Sequence, residues 1–161
     1  MSLIPYYRNR IMAIMRAQLT QLDTVAQLFD DYRVFYGQPS DRAAAIEFLQ
    51  ARLQQQDSVI FTAIAAEQVV GFTQLYPSFS SVSLKRIWIL NDLYVATRDR
   101  RQGWARQLLQ AAATFAQSTG AIRLVLATQA ENTAAKALYE SLGYQQDTEF
   151  HHYALSLTPQ A

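Results

Sequence analysis

The stretch best equipped for chemistry is Arg100-Arg101-Gln102-Gly103-Trp104-Ala105, followed directly by Arg106. A glycine in such a turn lets the backbone approach a ligand closely, and free N–H groups at a helix start favour phosphate oxygens. Arg100, Arg101 and Arg106 add positive charge beside it. The Gly-Lys-Ser/Thr ending of a Walker loop is absent. The same residues also suit an ordinary helix start with solvated charges. A second feature is Asp92, a lone carboxylate inside the apolar run Leu90-Asn91-Asp92-Leu93-Tyr94-Val95. An acid there is costly unless partnered or functional, so it reads either as a proton acceptor or as a hydrogen-bonded structural aspartate. A third group joins acids to aromatic faces able to hold a cation: Asp30, Asp31, Tyr32, Arg33, Phe35 and Tyr36, with Tyr76 and Phe79 further along. Each of these also fits a solvated helix edge or an aromatic core.

Composition narrows the chemistry. No cysteine occurs, which excludes disulfides, thiolate metal sites and a cysteine nucleophile. The two histidines, His151 and His152, are adjacent on what reads as a strand, so no metal site is expected. A net charge of +1 with interspersed acids and bases argues against nucleic acid as partner. No window approaches the roughly 20 apolar residues of a membrane span, and the N-terminus has no signal-peptide core, so a cytoplasmic protein is expected. At 161 residues, half of them hydrophobic, the chain fits one domain with a sizeable core. Residues 1–11 read as an N-terminal extension, opening on a possible cloning remnant, and residues 12–161 as the domain.

The elements that must hold these groups follow from periodicity and breakers. Ile11 to Leu19 reads as a strand. Thr20 can cap a helix through Val25, Leu28 and Phe29, which Gly37-Gln38-Pro39-Ser40 breaks. Ser40 or Asp41 then caps a second helix through Ile46, Leu49 and Leu53. Val59–Ala65 and Val69–Tyr76 form a hairpin around Ala66-Glu67-Gln68, and Pro77 to Ser83 reads as a polar loop. Arg86 to Val95 is a long strand, Trp104 to Gln117 a helix, and Ile122 to Ala127 a buried strand. Asn132 to Ser141 is a short helix stopped by Gly143, and Phe150 to Leu157 a last strand. The order β-α-α-β-β-β-α-β-α-β defines a mixed α/β or α+β sheet with helices against it.

Two ordered motifs carry a resemblance. Arg-x-x-Gly-x-Ala, starting five residues after Val95, is similar to the acyl-CoA pyrophosphate loop of the GNAT (GCN5-related N-acetyltransferase) superfamily. The block Asn132-Thr133-Ala134-Ala135-Lys136-Ala137-Leu138-Tyr139-Glu140-Ser141-Leu142-Gly143-Tyr144 resembles its Asn-x-x-Ala-x-x-x-Tyr-x-x-x-Gly-Phe/Tyr pattern. Gln74-Leu75-Tyr76-Pro77 and the Leu90–Val95 strand look like the diamine acetyltransferase branch. The resemblance implies a central, mostly antiparallel mixed sheet of about seven strands flanked by about four helices.

It also implies roles. Backbone groups of Leu93, Tyr94 and Val95 would pair with the pantetheine arm of acetyl-CoA. The N–H groups from Arg101 through Gln102, Gly103, Trp104 and Ala105 to Arg106, beside Arg100, would receive its pyrophosphate. Asn132 and Ala135 would meet the cofactor, and Tyr139 would lie by the thioester sulfur as proton donor to the leaving thiolate. Tyr139 otherwise reads as a packed helix tyrosine. The acceptor implied is a small primary amine, a polyamine or amino acid, with Asp30, Asp31, Tyr36, Tyr76 and Asn91 as candidates to hold it. Acetylation of a protein lysine or N-terminus, and a non-catalytic acyl-CoA-binding module, are the alternatives. A homodimer is the family habit.

An amine with a pKa near 10 must lose its proton before it attacks, so a base or a water path is needed. Where the diamine branch carries a glutamate, this strand has Asn91, which cannot accept a proton. That leaves Asp92, or positioning alone. Strict alternation puts Asn91 on the face of Leu93 and Val95 and Asp92 on the other, unless a bulge intervenes.

Overall fold

The computed structural model describes residues 12–157. The expected extension, residues 1–11, lies outside them. The chain forms two compact units, Met1–Ala127 and Thr128–Ala161. The first unit holds β1 (Met12–Arg16), α1 (Leu22–Phe35), α2 (Arg42–Gln55), β2 (Val59–Ala65), β3 (Gln68–Ser80), β4 (Lys85–Val95), α3 (Trp104–Ser118) and β5 (Leu124–Leu126). The second holds α4 (Thr133–Ser141).

The strands make one mixed sheet in the order β1-β2-β3-β4-β5, antiparallel throughout except for the parallel β4–β5 pair. The described residues therefore give five strands rather than about seven, beside the four expected helices. Residues 150–157, expected as a final strand, form no strand. Phe150, Tyr153, Leu155 and Leu157 are exposed there, so alternation alone did not secure a partner.

Side-chain alternation sorts the core onto two faces of the sheet. Ile60 and Phe72 pack with Val25, Leu28 and Phe29 of α1 and Ala45 and Leu49 of α2. Ala63, Val70 and Val95 pack with Trp104 and Leu108 of α3. Tyr94 joins the first cluster, Leu93 the second. α1 and α3 are amphipathic covers, and the burial of their apolar faces supplies the driving force for closing the layers.

Local details differ from expectation for physical reasons. Thr20 does not cap α1, because residues 19–21 form a short 3-10 turn ahead of it. Asp41 caps α2, accepting from the Ala44 N–H at 3.0 Å, which leaves Ser40 for another partner. β3 runs through Pro77 to Ser80 where a loop was expected. Its pairing with β2 ends at Leu75, so Pro77 lies where one edge is free and a missing N–H costs little. Gly71 allows a close approach between β3 and β4: a Cβ there would lie 2.9 Å from the Tyr94 carbonyl oxygen. No helix among the described residues is long and apolar enough to cross a membrane.

Candidate active site

The chemistry gathers at an irregularity in β4. Gln74 pairs with Asp92, but Leu75 pairs with Leu90, so Asn91 is an extra residue without an opposite number on β3. This bulge breaks the strict alternation and re-aims the strand. Asn91 is exposed and Asp92 is only 3% exposed. Asp92 therefore shares the sheet face of Tyr94 and of Gln74, beneath α1.

Asp92 is held by named donors. Gln74 Nε2 donates to Oδ2 at 2.8 Å, and Asn91 Nδ2 donates to Oδ1 at 3.1 Å. Thr73 Oγ1 donates to the Asp92 carbonyl at 2.8 Å. Behind Gln74, Ser58 Oγ donates to Gln74 Oε1 at 2.9 Å. The Tyr32 hydroxyl reaches the Asn91 carbonyl at 3.4 Å and also bears on the Asp92 carboxylate. Burial pushes Asp92 above the ordinary carboxylate value, opposed by the bonds from Gln74, Asn91 and Tyr32. Tyr76, half-buried on β3, is pushed up to about 12, first by its own burial and then by the charge of Asp92.

Aromatic rings surround this point. Tyr32 stacks edge-on against Tyr36, Phe72 and Tyr94, with centroids 4.9, 6.2 and 6.3 Å away. The Arg100 guanidinium lies 5.4 Å from the Tyr94 ring and 5.9 Å from that of Phe35, while its Nε donates to the Val95 carbonyl. Arg100 thus fastens the turn after β4 to the aromatic cluster at the end of α1.

The turn itself has the form a phosphate-bearing group needs. Arg101 and Gly103 both take left-handed backbone, at φ 60° and 87°. No side chain caps α3, whose first backbone bond runs from the Gln107 N–H to the Gly103 carbonyl. The space where a Gly103 side chain would stand is open. Arg101, Gln102 and Arg106 are exposed, and Ala105 is half-buried against the α3 core. Trp104 differs from its neighbours: its indole is buried at 2%, so it offers a ligand only its backbone. Parallel pairing between β4 and β5 stops at Leu90–Leu126, so among the described residues of this unit the β5-side edge of β4 has no strand partner from Asn91 to Val95. An extended arm can add to such an edge as a further strand.

The acids on α1 separate. Asp30 is 2% exposed and accepts from Ser40 Oγ at 2.5 Å, the Asp41 N–H at 2.8 Å and Arg33 at 3.1 Å. These bonds, the Ser40 hydroxyl foremost, hold it below the usual carboxylate range. It staples the α1–α2 connection and is not free to meet a substrate cation. Asp31 is half-buried, takes a bond from Gln27 at 3.0 Å, and lines a cleft of about 460 Å³ with Tyr94, Thr97 and Arg98.

In the second unit, Asn132 caps α4 by accepting from the Ala135 N–H at 3.2 Å. Tyr139 is half-buried with its ring 5.8 Å from that of Tyr144. His152 lies 3.6 Å from Asp147.

Sequence reasoning reached Asp92, Asn91 and Tyr76 but missed Ser58 and the role of Gln74. A polar residue alternating with Phe72 toward the helix-covered face is the signal that could have found Gln74.

The pattern of the Acetyltransferase (GNAT) family matches residues 25–144, and the chain belongs to that family. It is an enzyme of an acetyl-CoA-dependent class, an N-acetyltransferase. A relative in Bacillus subtilis (strain 168), the uncharacterized N-acetyltransferase YhfO, is 47% identical over 146 residues, covering 91% of this chain and 98% of that one. A crystal structure of a probable acetyltransferase, 47% identical, matches with a TM-score of 0.87 over 92% of this chain and 100% of that chain. The aminoglycoside N-acetyltransferase AAC(6')-Iy, solved in complex with CoA, shares the fold at 22% identity and a TM-score of 0.77, over 95% and 99% of the two chains.

Proposed function

We propose that this protein moves the acetyl group of acetyl-CoA to a primary amine of a small molecule, a polyamine or amino acid, by direct attack in a ternary complex. The observation that carries the reading is Asp92: a buried carboxylate on a β4 bulge, raised in pKa, beside an unpaired strand edge. The ammonium first loses one proton to solvent, and a base whose pKa is raised then accepts the second proton from the attacking nitrogen more readily than an ordinary carboxylate does. Acetyl-CoA supplies an acyl group already activated as a thioester. The residues present fit it: the β4 edge at Leu93–Val95 for the pantetheine arm, and the open, uncapped turn from Arg100 to Arg106 for the pyrophosphate.

In this reading Asp92 takes the proton, the amine nitrogen bonds to the acetyl carbon, and Tyr139 protonates the departing sulfur. Asp31, Tyr36, Tyr76 and Asn91 hold the amine. Asn132 and Ala135 meet the cofactor, so the functional domain is residues 12–161, with residues 1–11 as an extension. That α4 lies within the matched stretch supports this span. The enzyme works as a cytoplasmic homodimer, and sedimentation of the purified protein tests the dimer.

A panel of diamines, amino acids and lysine peptides, assayed with the native enzyme and Asp92→Asn, tests the reading. Turnover is expected on small amines, with kcat/KM lowered about 10²–10⁴-fold in Asp92→Asn. Turnover confined to the peptides would overturn the substrate class. An Asp92→Asn enzyme at full rate would remove the base.

A further inference from the structure

Gln74 is wholly buried and stands opposite Asp92 in the β3–β4 register. Both ends of its amide are committed: Oε1 accepts from Ser58, and Nε2 donates to Asp92 Oδ2. The reverse orientation would set the amide oxygen against the carboxylate in a dry site, so Asp92 fixes the amide's orientation and Ser58 holds its far end. The two carboxylate oxygens are consequently unlike. Oδ2 faces a fixed N–H, whereas Oδ1 faces the side chain of the exposed, bulged Asn91.

We propose that Gln74, held by Ser58, is a positioning residue of the acetyl transfer: it locks Asp92 Oδ2 as an acceptor, so that the attacking amine delivers its proton to Oδ1. This rests on Asp92 as the base. In the step, the nitrogen lone pair forms the bond to the acetyl carbon and the carbon–sulfur pair leaves on sulfur. The proton passes from nitrogen to Oδ1, leaving Asp92 neutral. The groups bearing on the carboxylate are Gln74 from β3, Asn91 from β4 and Tyr32 from α1, all neutral donors, while Tyr76 on β3 feels its charge. With these donors alone holding the ionised form, losing the Gln74 N–H should widen the pH range over which Asp92 is protonated.

The test measures kcat/KM against pH, and the Asp92 carboxyl titration by ¹³C NMR, in Gln74→Leu, Ser58→Ala and Ser58→Thr. Gln74→Leu keeps the volume near native while removing the donor. Its acid limb should move upward by about one to two pH units, the size of one charge-assisted hydrogen bond, with the alkaline plateau within a few-fold of native. Ser58→Ala should shift the limb less, in the same direction, and Ser58→Thr should restore it. Should Gln74→Leu not fold, Ser58→Ala carries the test by deleting a single hydroxyl. An unmoved limb with a rate lowered equally at every pH would overturn the proposal and leave Gln74 a packing residue. A shifted carboxyl titration that the rate does not follow would overturn it differently, by removing Asp92 as the base.

Discussion

Two buried aspartates do opposite work here, and pH separates them. Asp30 sits below the usual carboxylate range because Ser40, the Asp41 N–H and Arg33 favour its charged form. Its folded pKa is depressed, so its contribution is present above the unfolded value near 3.9 and is lost as pH falls through the folded one. Asp30→Asn should therefore destabilise the protein at pH 7 by about 1.5–3 kcal/mol, with the gap to native closing in acid. Asp92 is raised by burial, so its contribution is present below the unfolded value and is lost as pH rises through the folded one. Asp92→Asn should melt no lower than native at pH 8, and the difference in its favour should grow as pH rises above about 4. Calorimetry across that range checks both; an Asp92→Asn loss that deepens toward pH 8 would mark a structural salt-stabilised aspartate. Sequence alone left Asp30 and Asp31 indistinguishable, since which neighbour on α1 turns inward depends on where the α2 connection crosses. Asp92 was legible because an acid in an apolar strand is costly wherever the strand goes.

At the scale of elements, what local pattern could specify was legible. β2 spans Val59–Ala65 as read, α3 starts at Trp104, and Asn132 stands at the head of α4. The bulge at Asn91 was not, because register is set by the partner strand rather than by the strand's own residues. Nor was the Ser58–Gln74–Asp92 chain, whose members meet only when β2 pairs with β3 and β3 with β4. The turn before α3 yields a prediction of its own. Gly103 has open space around it but φ +87°, so a side chain there is strained by the backbone and not by crowding. Gly103→Ala should lose about 1 kcal/mol of stability from that conformation. If the uncapped start of α3 is the pyrophosphate seat, coenzyme A should bind at least tenfold more weakly, by about 1.4 kcal/mol, as the turn relaxes. Titration calorimetry reads the affinity; native affinity in a folded Gly103→Ala protein would move the seat elsewhere.

At the scale of the whole molecule, the second compact unit is tested through its own motif residue. The family match runs from residue 25 to residue 144 and so includes Tyr139 on α4. On the proposed reading Tyr139 serves the departing sulfur, a role that exists only while the carbon–sulfur bond breaks. An interaction made only in the transition state lowers kcat and kcat/KM together and leaves KM nearly unchanged. Tyr139→Phe should thus lose about 10²–10⁴-fold in kcat, the usual worth of general-acid help. The ring stays, so its contact with Tyr144 at 5.8 Å should persist and melting should change little. Coenzyme A at about 100 times its Kd should still stabilise the variant by about 2.7 kcal/mol, because binding to the folded state alone acts by mass action. Kinetics, melting and the coenzyme-induced shift together divide the cases. A slow enzyme with native melting and a native shift makes the second unit a contributor of chemistry. A fast enzyme that melts lower makes Tyr139 part of the packing around Tyr144, and the proton for sulfur must then come from the first unit or from water.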